Sequence, residues 1–356
     1  MADKVRIGVI GTGGIANGAH LPGYAQIPDE CEIVALCDID PEALRKTQDK
    51  YPQARHTFTD YRELLVLDEI DAVSVCTPNY VHHRPTVDAL LAGKHVLCEK
   101  PIAMNAREAR EMVDTARRAG KILQIGYNSR FSPANQALKR FVAAGELGEI
   151  YYARAQALRV RGIPGWGVFI DKEKQGGGPL VDIGVHILDL TLWLMGHPKP
   201  TFASGVTFQK FGTRPDVVGF MGQWDHEKFT VEDMAAAFIR FENGATVVLE
   251  CSFVANLKEE QHGTTLLGTA GGAQTNPLTI TQERHGSVFS FEPRLPTRSV
   301  NTHHAEVKDF VACVREGREP LVTGEHGLMV AQICDAIYQS AEQGREVAIG
   351  AAGESA

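Results

Sequence analysis

From Val5 to Gly126, short runs of consecutive apolar, β-branched residues alternate with stretches whose apolar positions recur every three or four residues. Residues 5–10, 33–37, 72–76, 95–98 and 122–125 read as strands. Several are apolar at consecutive positions, as in a parallel sheet covered on both faces. Between them a helical period holds at about 41–50, 60–67, 85–92 and 106–119. Pro41 and Pro85 suit the start of a helix, and Gly93 and Gly120 suit the left-handed residue that ends one. The predicted order is βαβαβ, the grammar of a doubly wound parallel sheet.

Beyond about residue 150 the strands lengthen and alternate. Along 245–254, Val247, Leu249, Cys251 and Phe253 share one face, and Thr246, Glu250 and Ser252 the other. Asn243-Gly244 predicts a two-residue hairpin turn joining this run to 233–242, because both residue types tolerate φ > 0. Residues 150–160, 203–210, 264–267 and 278–282 are further strands of a large, open, mostly antiparallel sheet. Helical patterns at about 304–316 and 325–343 close the chain. The fold class is α/β: a doubly wound parallel sheet over 1–126, then an α+β domain over 127–356. A chain of 356 residues exceeds what one hydrophobic core usually serves.

Composition narrows the function classes. With 44% hydrophobic and 22% charged residues, disorder and fibrous architectures are excluded. Lys and Arg number 36 against 44 Asp and Glu, and the net charge of −8 offers no basic field to nucleic acid or anionic lipid. No uninterrupted apolar run approaches the ~20 residues of a membrane helix. The stretch from Met1 to Arg6 lacks a secretory apolar segment. The seven cysteines are odd in number, widely spaced and without a C-x-x-C pair, which argues against a disulfide framework or a thiolate zinc site. A reducing cytoplasm is expected.

The first predicted strand ends in Gly11-Thr12-Gly13-Gly14-Ile15-Ala16, a G-x-G-x-x-A loop. Gly11 permits the tight turn, Gly13 lets backbone approach a pyrophosphate, and Ala16 is small enough for close helix–strand packing. Amides at the following helix N-terminus would hold the phosphate. Asp38 ends the second strand, where a carboxylate meets the adenosine ribose hydroxyls. A carboxylate there accepts from a free 2′-OH and repels a 2′-phosphate, so NAD is favoured over NADP. A plain turn carboxylate before Pro41 is the alternative.

Cys76-Thr77-Pro78-Asn79 and Cys98-Glu99-Lys100-Pro101 close two further strands, at the carboxyl edge where such sheets bind ligands. An ammonium from Lys100 beside a reacting hydroxyl would stabilise a developing alkoxide. The plainer alternative is a surface lysine paired with Glu99.

Gly176-Gly177-Gly178-Pro179 opens a helix apolar on nearly every side, ended by Gly196, yet carrying Asp182, His186 and Asp189. At i, i+4 and i+7 they share a stripe on which a carboxylate can orient an imidazole. The functional alternative to a satisfied core histidine is a general base tuned near neutral pH. The glycines would let a substrate or cofactor ring approach. Metal is not expected: His82-His83 and His303-His304 are adjacent pairs whose side chains diverge. Arg159, Arg161, Trp166 and Lys172 are loop candidates for lining a polyhydroxylated substrate.

These motifs, in this order, resemble the glucose–fructose oxidoreductase/inositol dehydrogenase (Gfo/Idh/MocA) family over nearly the whole chain. The likeness rests on the glycine loop, Thr77-Pro78-Asn79 with His82, Glu99-Lys100-Pro101, Gly126-Tyr127-Asn128 leading to Arg130-Phe131, and the glycine-rich segment with Asp182 and His186. It implies a Rossmann domain and a C-terminal sheet through whose exposed face many members form dimers or tetramers. It implies a catalytic set of Lys100, Asp182 and His186. The cofactor would be lined by Gly11, Thr12, Gly13, Gly14, Ile15, Asp38, Thr77, Pro78, Asn79, His82, Glu99, Lys100 and Asn128, and the substrate by Arg161, Trp166, Asp182 and His186. The implied reaction is reversible oxidation of a secondary alcohol on a sugar or cyclitol. Relatives that hydrolyse glycosides with retained NAD, or that sense dinucleotides without catalysis, supply the other two expectations.

Overall fold

The computed structural model describes residues 4–296 and 299–350. Two compact units result: the chain up to Phe131 together with Asn301–Leu328, and Ser132–Val300 together with the chain from Met329.

The first unit is built on six parallel strands, β1 (Val5–Ile10), β2 (Cys31–Cys37), β3 (His56–Phe58), β4 (Ala72–Val75), β5 (His95–Cys98) and β6 (Leu123–Ile125), in the order β3-β2-β1-β4-β5-β6. The order reverses between β1 and β4, which opens a crevice at their carboxyl ends. β3 escapes the sequence pattern because it is a three-residue edge strand, only half buried. The predicted helices form at Pro41–Lys50, Tyr61–Leu65, His83–Leu91 and Ala106–Ala119, the last ended by Gly120 at φ 61°.

After the glycine loop the helix is irregular. Ala16–His20 is a π-helical turn closed by Leu21 N–H on the Ala16 carbonyl, and Leu21–Ala25 is α-helical. Pro22 has no N–H to return to the preceding turn, so the α ladder breaks there.

The boundary expected at 126/127 differs from the structural one in the segment Asn301–Leu328, which returns to the first unit. Its helix Thr302–Glu316 buries Val307, Phe310 and Val311 in one core with Val5, Ile7, Val9, Leu21 and Tyr24. Gly23 makes the approach possible, because a Cβ there would press on Val307. The short, broken helix after the glycine loop leaves that side of the sheet to be covered from elsewhere.

The second unit carries nine strands, β7 (Ile150–Leu158), β8 (Pro200–Phe208), β9 (Met234–Phe241), β10 (Thr246–Ser252), β11 (Gln261–Gly268), β12 (Gly271–Thr275), β13 (Leu278–Arg284), β14 (Ser287–Phe291) and β15 (Val347–Ala348). Their order is β14-β13-β12-β11-β7-β10-β9-β8-β15, antiparallel throughout except between β7 and β10. Val247, Leu249, Cys251 and Phe253 are buried as the alternation required. The β9–β10 hairpin corrects an expectation. Its loop is Glu242-Asn243-Gly244, closed by Gly244 N–H on the Phe241 carbonyl, and only Gly244 has φ > 0. A turn ended by a left-handed glycine replaces the two-residue form.

The helices Pro133–Ala143 and Val185–Leu194 belong to this unit, and the latter packs on β7 and β11. The stretch Lys172–Leu194 is long and apolar enough to cross a membrane, yet its most apolar part is almost wholly buried inside the fold. On the sheet's open face Phe202, Val206, Phe208, Phe238 and Leu267 remain exposed.

Candidate active site

In the first unit a row of backbone hydrogen bonds holds the carboxyl ends of the strands in step. Gly11 N–H donates to the Cys37 carbonyl, Cys76 to Ile10, Glu99 to Val75 and Gly126 to Cys98. The glycine loop, the Thr77 turn, Lys100 and the approach to Asn128 therefore lie along one edge.

Gly11 adopts φ 90° with its Cα against the Cys76 and Thr77 backbone, so no side chain fits there. A Cβ at Gly13 or Gly14 would meet nothing within 4 Å, and the face of the loop is open. Thr12 donates its N–H (2.7 Å) and hydroxyl (3.0 Å) to Asp38 Oδ2, while Asp38 Oδ1 accepts from Asp40 N–H at 2.9 Å. The loop thereby fixes the carboxylate at the end of β2. Ile15 packs its side chain against the core. Nearby, the buried Thr77 hydroxyl has no hydrogen-bond partner in the protein. An open glycine face, a fixed carboxylate and an unsatisfied hydroxyl fit a dinucleotide. Pro78 is exposed, and Asn79 opens the 3₁₀ turn Asn79–Val81.

Three of the expected cofactor residues have hydrogen-bond partners within the protein. His82 is buried, with Nδ1 2.7 Å from the Pro101 carbonyl and Nε2 2.8 Å from that of Thr77, so its ring clamps two loops together. Burial draws its pKa below the ordinary histidine value, against the pull of both carbonyls. Asn128 donates to Thr302 Oγ1 at 2.8 Å and lies 3.0 Å from His303 Nε2. Glu99 Oε1 is 2.9 Å from His20 Nε2, and Oε2 accepts from Lys100 N–H at 3.1 Å. His20 continues through Nδ1 to Ser74 Oγ (3.0 Å), which bonds the Tyr24 hydroxyl (2.6 Å). Lys100 is thus half-buried with its backbone anchored by Glu99, not a surface lysine on a surface carboxylate.

The helix Thr302–Glu316 also brings His303 and Glu306 to Glu99, with ligand-capable atoms of all three within 4.8 Å of one another. Adjacent His303 and His304 diverge as their spacing requires, and the partners of His303 in this cluster come from Glu306, one helical turn on, and from the distant Glu99. Burial raises the Glu99 carboxyl pKa, but its bond to His20 and the nearness of His20, Lys100 and His303 bring it down.

In the second unit the helix expected from Pro179 has two parts. Leu180–Gly184 is π-helical, closed by Val185 N–H on the Leu180 carbonyl, and Val185–Leu194 is α-helical. A turn closed i to i+5 brings residues four apart nearly above one another. The even stripe of Asp182, His186 and Asp189 is altered accordingly. Asp182 is buried, His186 half-buried, and Asp189 lies wholly in the core.

The glycines serve close packing. Gly176 ends the helix Lys172–Gln175 at φ 91°. A Cβ on Gly177 would overlap the Tyr338 hydroxyl, and one on Gly178 the Glu232 carbonyl.

Of the loop candidates, Arg159 reaches the site: its Nη1 lies 3.7 Å from Asp182 Oδ2 and donates to the Gly162 carbonyl. Arg161 spends its guanidinium on the Val160 and Ala255 carbonyls and on Asn256 Oδ1. Trp166 is 56% exposed, edge-on to Phe169. No spacing or motif in the sequence marks His20, Ser74, Tyr24, Glu232 or Tyr338.

Comparison with known proteins gives matches along the chain. The profile of the oxidoreductase family with the NAD-binding Rossmann fold matches residues 5–127, and that of its C-terminal alpha/beta domain matches 139–349. D-glucoside 3-dehydrogenase of Escherichia coli is 38% identical, covering 97% of this chain and 98% of its own. Myo-inositol 2-dehydrogenase of Thermotoga maritima is 27% identical, covering 96% and 98%. The solved aldose-aldose oxidoreductase from Caulobacter crescentus, complexed with glycerol, superposes with a TM-score of 0.81 at 26% identity, covering 98% of this chain and all of that one.

Proposed function

Since the chain belongs to the Gfo/Idh/MocA oxidoreductase family, we propose that it oxidises, reversibly, a ring secondary alcohol of a sugar or cyclitol with NAD. What carries this is the end-to-end likeness to D-glucoside 3-dehydrogenase in a chain that carries Lys100, Asp182 and His186. The same likeness favours the 3-hydroxyl of a glucoside over an inositol hydroxyl. Asp38, fixed by Thr12 and followed by the exposed Ile39, supports NAD over NADP.

His186 takes the proton of the reacting hydroxyl, with Asp182 stabilising the imidazolium and Arg159 Nη1 lying 3.7 Å from Asp182 Oδ2. The Lys100 ammonium stabilises the developing alkoxide, and the Glu99 bond to its N–H keeps its backbone in place. The glycine loop would hold the pyrophosphate and Asp38 the ribose. Bound NAD supplies the hydride acceptor, at C4 of the nicotinamide.

Methyl glucosides, free aldoses and inositols, each offered with NAD and with NADP, should separate the readings by NADH formation. The expected result is fastest turnover of a glucoside with NAD and a 3-keto product. Glycoside cleavage without net NADH would replace the dehydrogenase by an NAD-retaining hydrolase, and tight NAD binding with no turnover of any kind would leave a sensor.

The open face of the second sheet, with Phe202, Val206, Phe208 and Phe238 exposed, fits association of copies into a dimer or tetramer. Light scattering should give a multiple of the chain mass; a single-chain mass at micromolar concentration would remove this part. The seven buried, unpaired cysteines support a cytoplasmic setting.

A further inference from the structure

We propose that Glu232 is a positioning residue for the reaction, holding the π-helical turn that carries Asp182; this rests on the roles proposed above for Asp182 and His186. Pro179, at the cap position of this turn, makes no side-chain cap bond. The amides of the first helical turn lack intrahelical acceptors and must find others. Here the acceptor comes from far along the chain. Glu232 Oε2 accepts from Gly178 N–H at 2.9 Å, and Oε1 from Leu180 N–H at 3.3 Å and from the Tyr338 hydroxyl at 2.9 Å.

Gly178 in turn accepts, at its carbonyl, the N–H of Asp182 at 3.1 Å. A single residue thus separates the Glu232 carboxylate from the backbone of Asp182: Gly178 donates its N–H to the carboxylate and accepts the Asp182 N–H at its carbonyl, so displacing one end displaces the other. The close approach is built in: side chains at Gly177 or Gly178 would collide with Tyr338 and with the Glu232 backbone. Gly184, at the far end of the turn, sits against Cys251 Sγ of β10, where a Cβ would be 3.1 Å away. The turn is therefore pinned at both ends, once by a carboxylate and once by the sheet.

Glu232 is nearly buried, and burial raises its pKa although both amides and the tyrosine oppose this. A buried carboxylate is costly compared with an apolar residue of similar size. A fold needing only a helix cap could place Ser or Asp locally; the distant carboxylate fixes this turn to the segment leading into β9 and to the helix Gly324–Gln343. Misplacement of reacting groups by about 1 Å costs on the order of 10²-fold in rate.

The test compares Glu232→Leu, Glu232→Gln and Tyr338→Phe with the unmodified chain. Turnover is expressed per site competent to bind NADH, counted by fluorescence titration, with KM for the best glycoside measured alongside. A cavity of about 270 Å³ beside Glu232 and Tyr338 is lined by Lys172, Gln209 and Glu342, and can hydrate a vacancy left by the tyrosine hydroxyl. The expected result is a fall in kcat of at least ~10-fold in Glu232→Leu with KM changed much less, partial recovery in Glu232→Gln, and a smaller loss in Tyr338→Phe. A lower melting temperature with unchanged kcat per competent site would make Glu232 a helix cap and overturn the proposal. Should the leucine variant not fold, wild-type kcat in both milder variants would overturn it as well. Wild-type turnover in a His186→Asn chain would overturn the underlying roles and this inference together, whereas loss in His186→Asn with none in the Glu232 series overturns the inference alone.

Discussion

Replacement of His186 by asparagine is expected to lower kcat by ~10²–10⁴-fold, the range that a positioned general base contributes, while the dissociation constant for NADH stays within about twofold. The amide is smaller than the imidazole and can hydrogen-bond in place of its near nitrogen, but it cannot accept the hydroxyl proton. Lys100→Met should cost roughly 10²–10³-fold, as loss of an oxyanion-stabilising donor does, without moving the acid limb of the rate profile that belongs to the base. Steady-state NADH formation and fluorescence titration of both variants check this. Turnover of the histidine variant within a few-fold of the unmodified chain would take the proton-transfer role away from it.

The second large effect is on stability in acid. Burial pushes the Glu99 carboxyl up, but the His20 bond and the charges of His20, Lys100 and His303 outweigh it and hold the group at about 2. An unfolded glutamate titrates near 4.3, so the folded value is depressed. The stabilisation is then fully present above about pH 4.3 and is lost as the pH falls toward 2, amounting to about 3 kcal/mol. Urea unfolding at a series of pH values should show this loss, and Glu99→Gln should flatten the same interval. The variant should also leave the Lys100 N–H without its charged acceptor. Parallel stability curves for the two chains would show that Glu99 does not carry the acid limb.

How much of this was legible follows from what each signal encodes. β1, β4 and β5 were readable because strands covered on both faces are written as unbroken apolar runs. β3 was not, since His56-Thr57-Phe58 at a half-buried edge carries no pattern. The glycine loop and Asp38 could be found because the chemistry is local to one βαβ unit. Glu99 could be placed at a strand end, but not its direction; the histidine that turns it inward sits on a π-helical turn no periodicity reveals. The triple glycine was visible as a need for space, while the neighbours demanding that space, Tyr338 and Glu232, lie far away in sequence. Arg159 and Arg161 are indistinguishable by type and spacing; only the antiparallel bridge of Arg161 to Val254 shows which guanidinium is committed to its own loop.

The helix Thr302–Glu316, seated in the same core as Val5 and Tyr24, has a practical consequence. The nucleotide-binding half is not a detachable N-terminal cassette. A fragment ending near Phe131 would present Leu21, Gly23 and Tyr24 to water where Val307 and Phe310 belong, and recombination with a relative has to exchange two separate stretches of gene at once to carry an intact cofactor module.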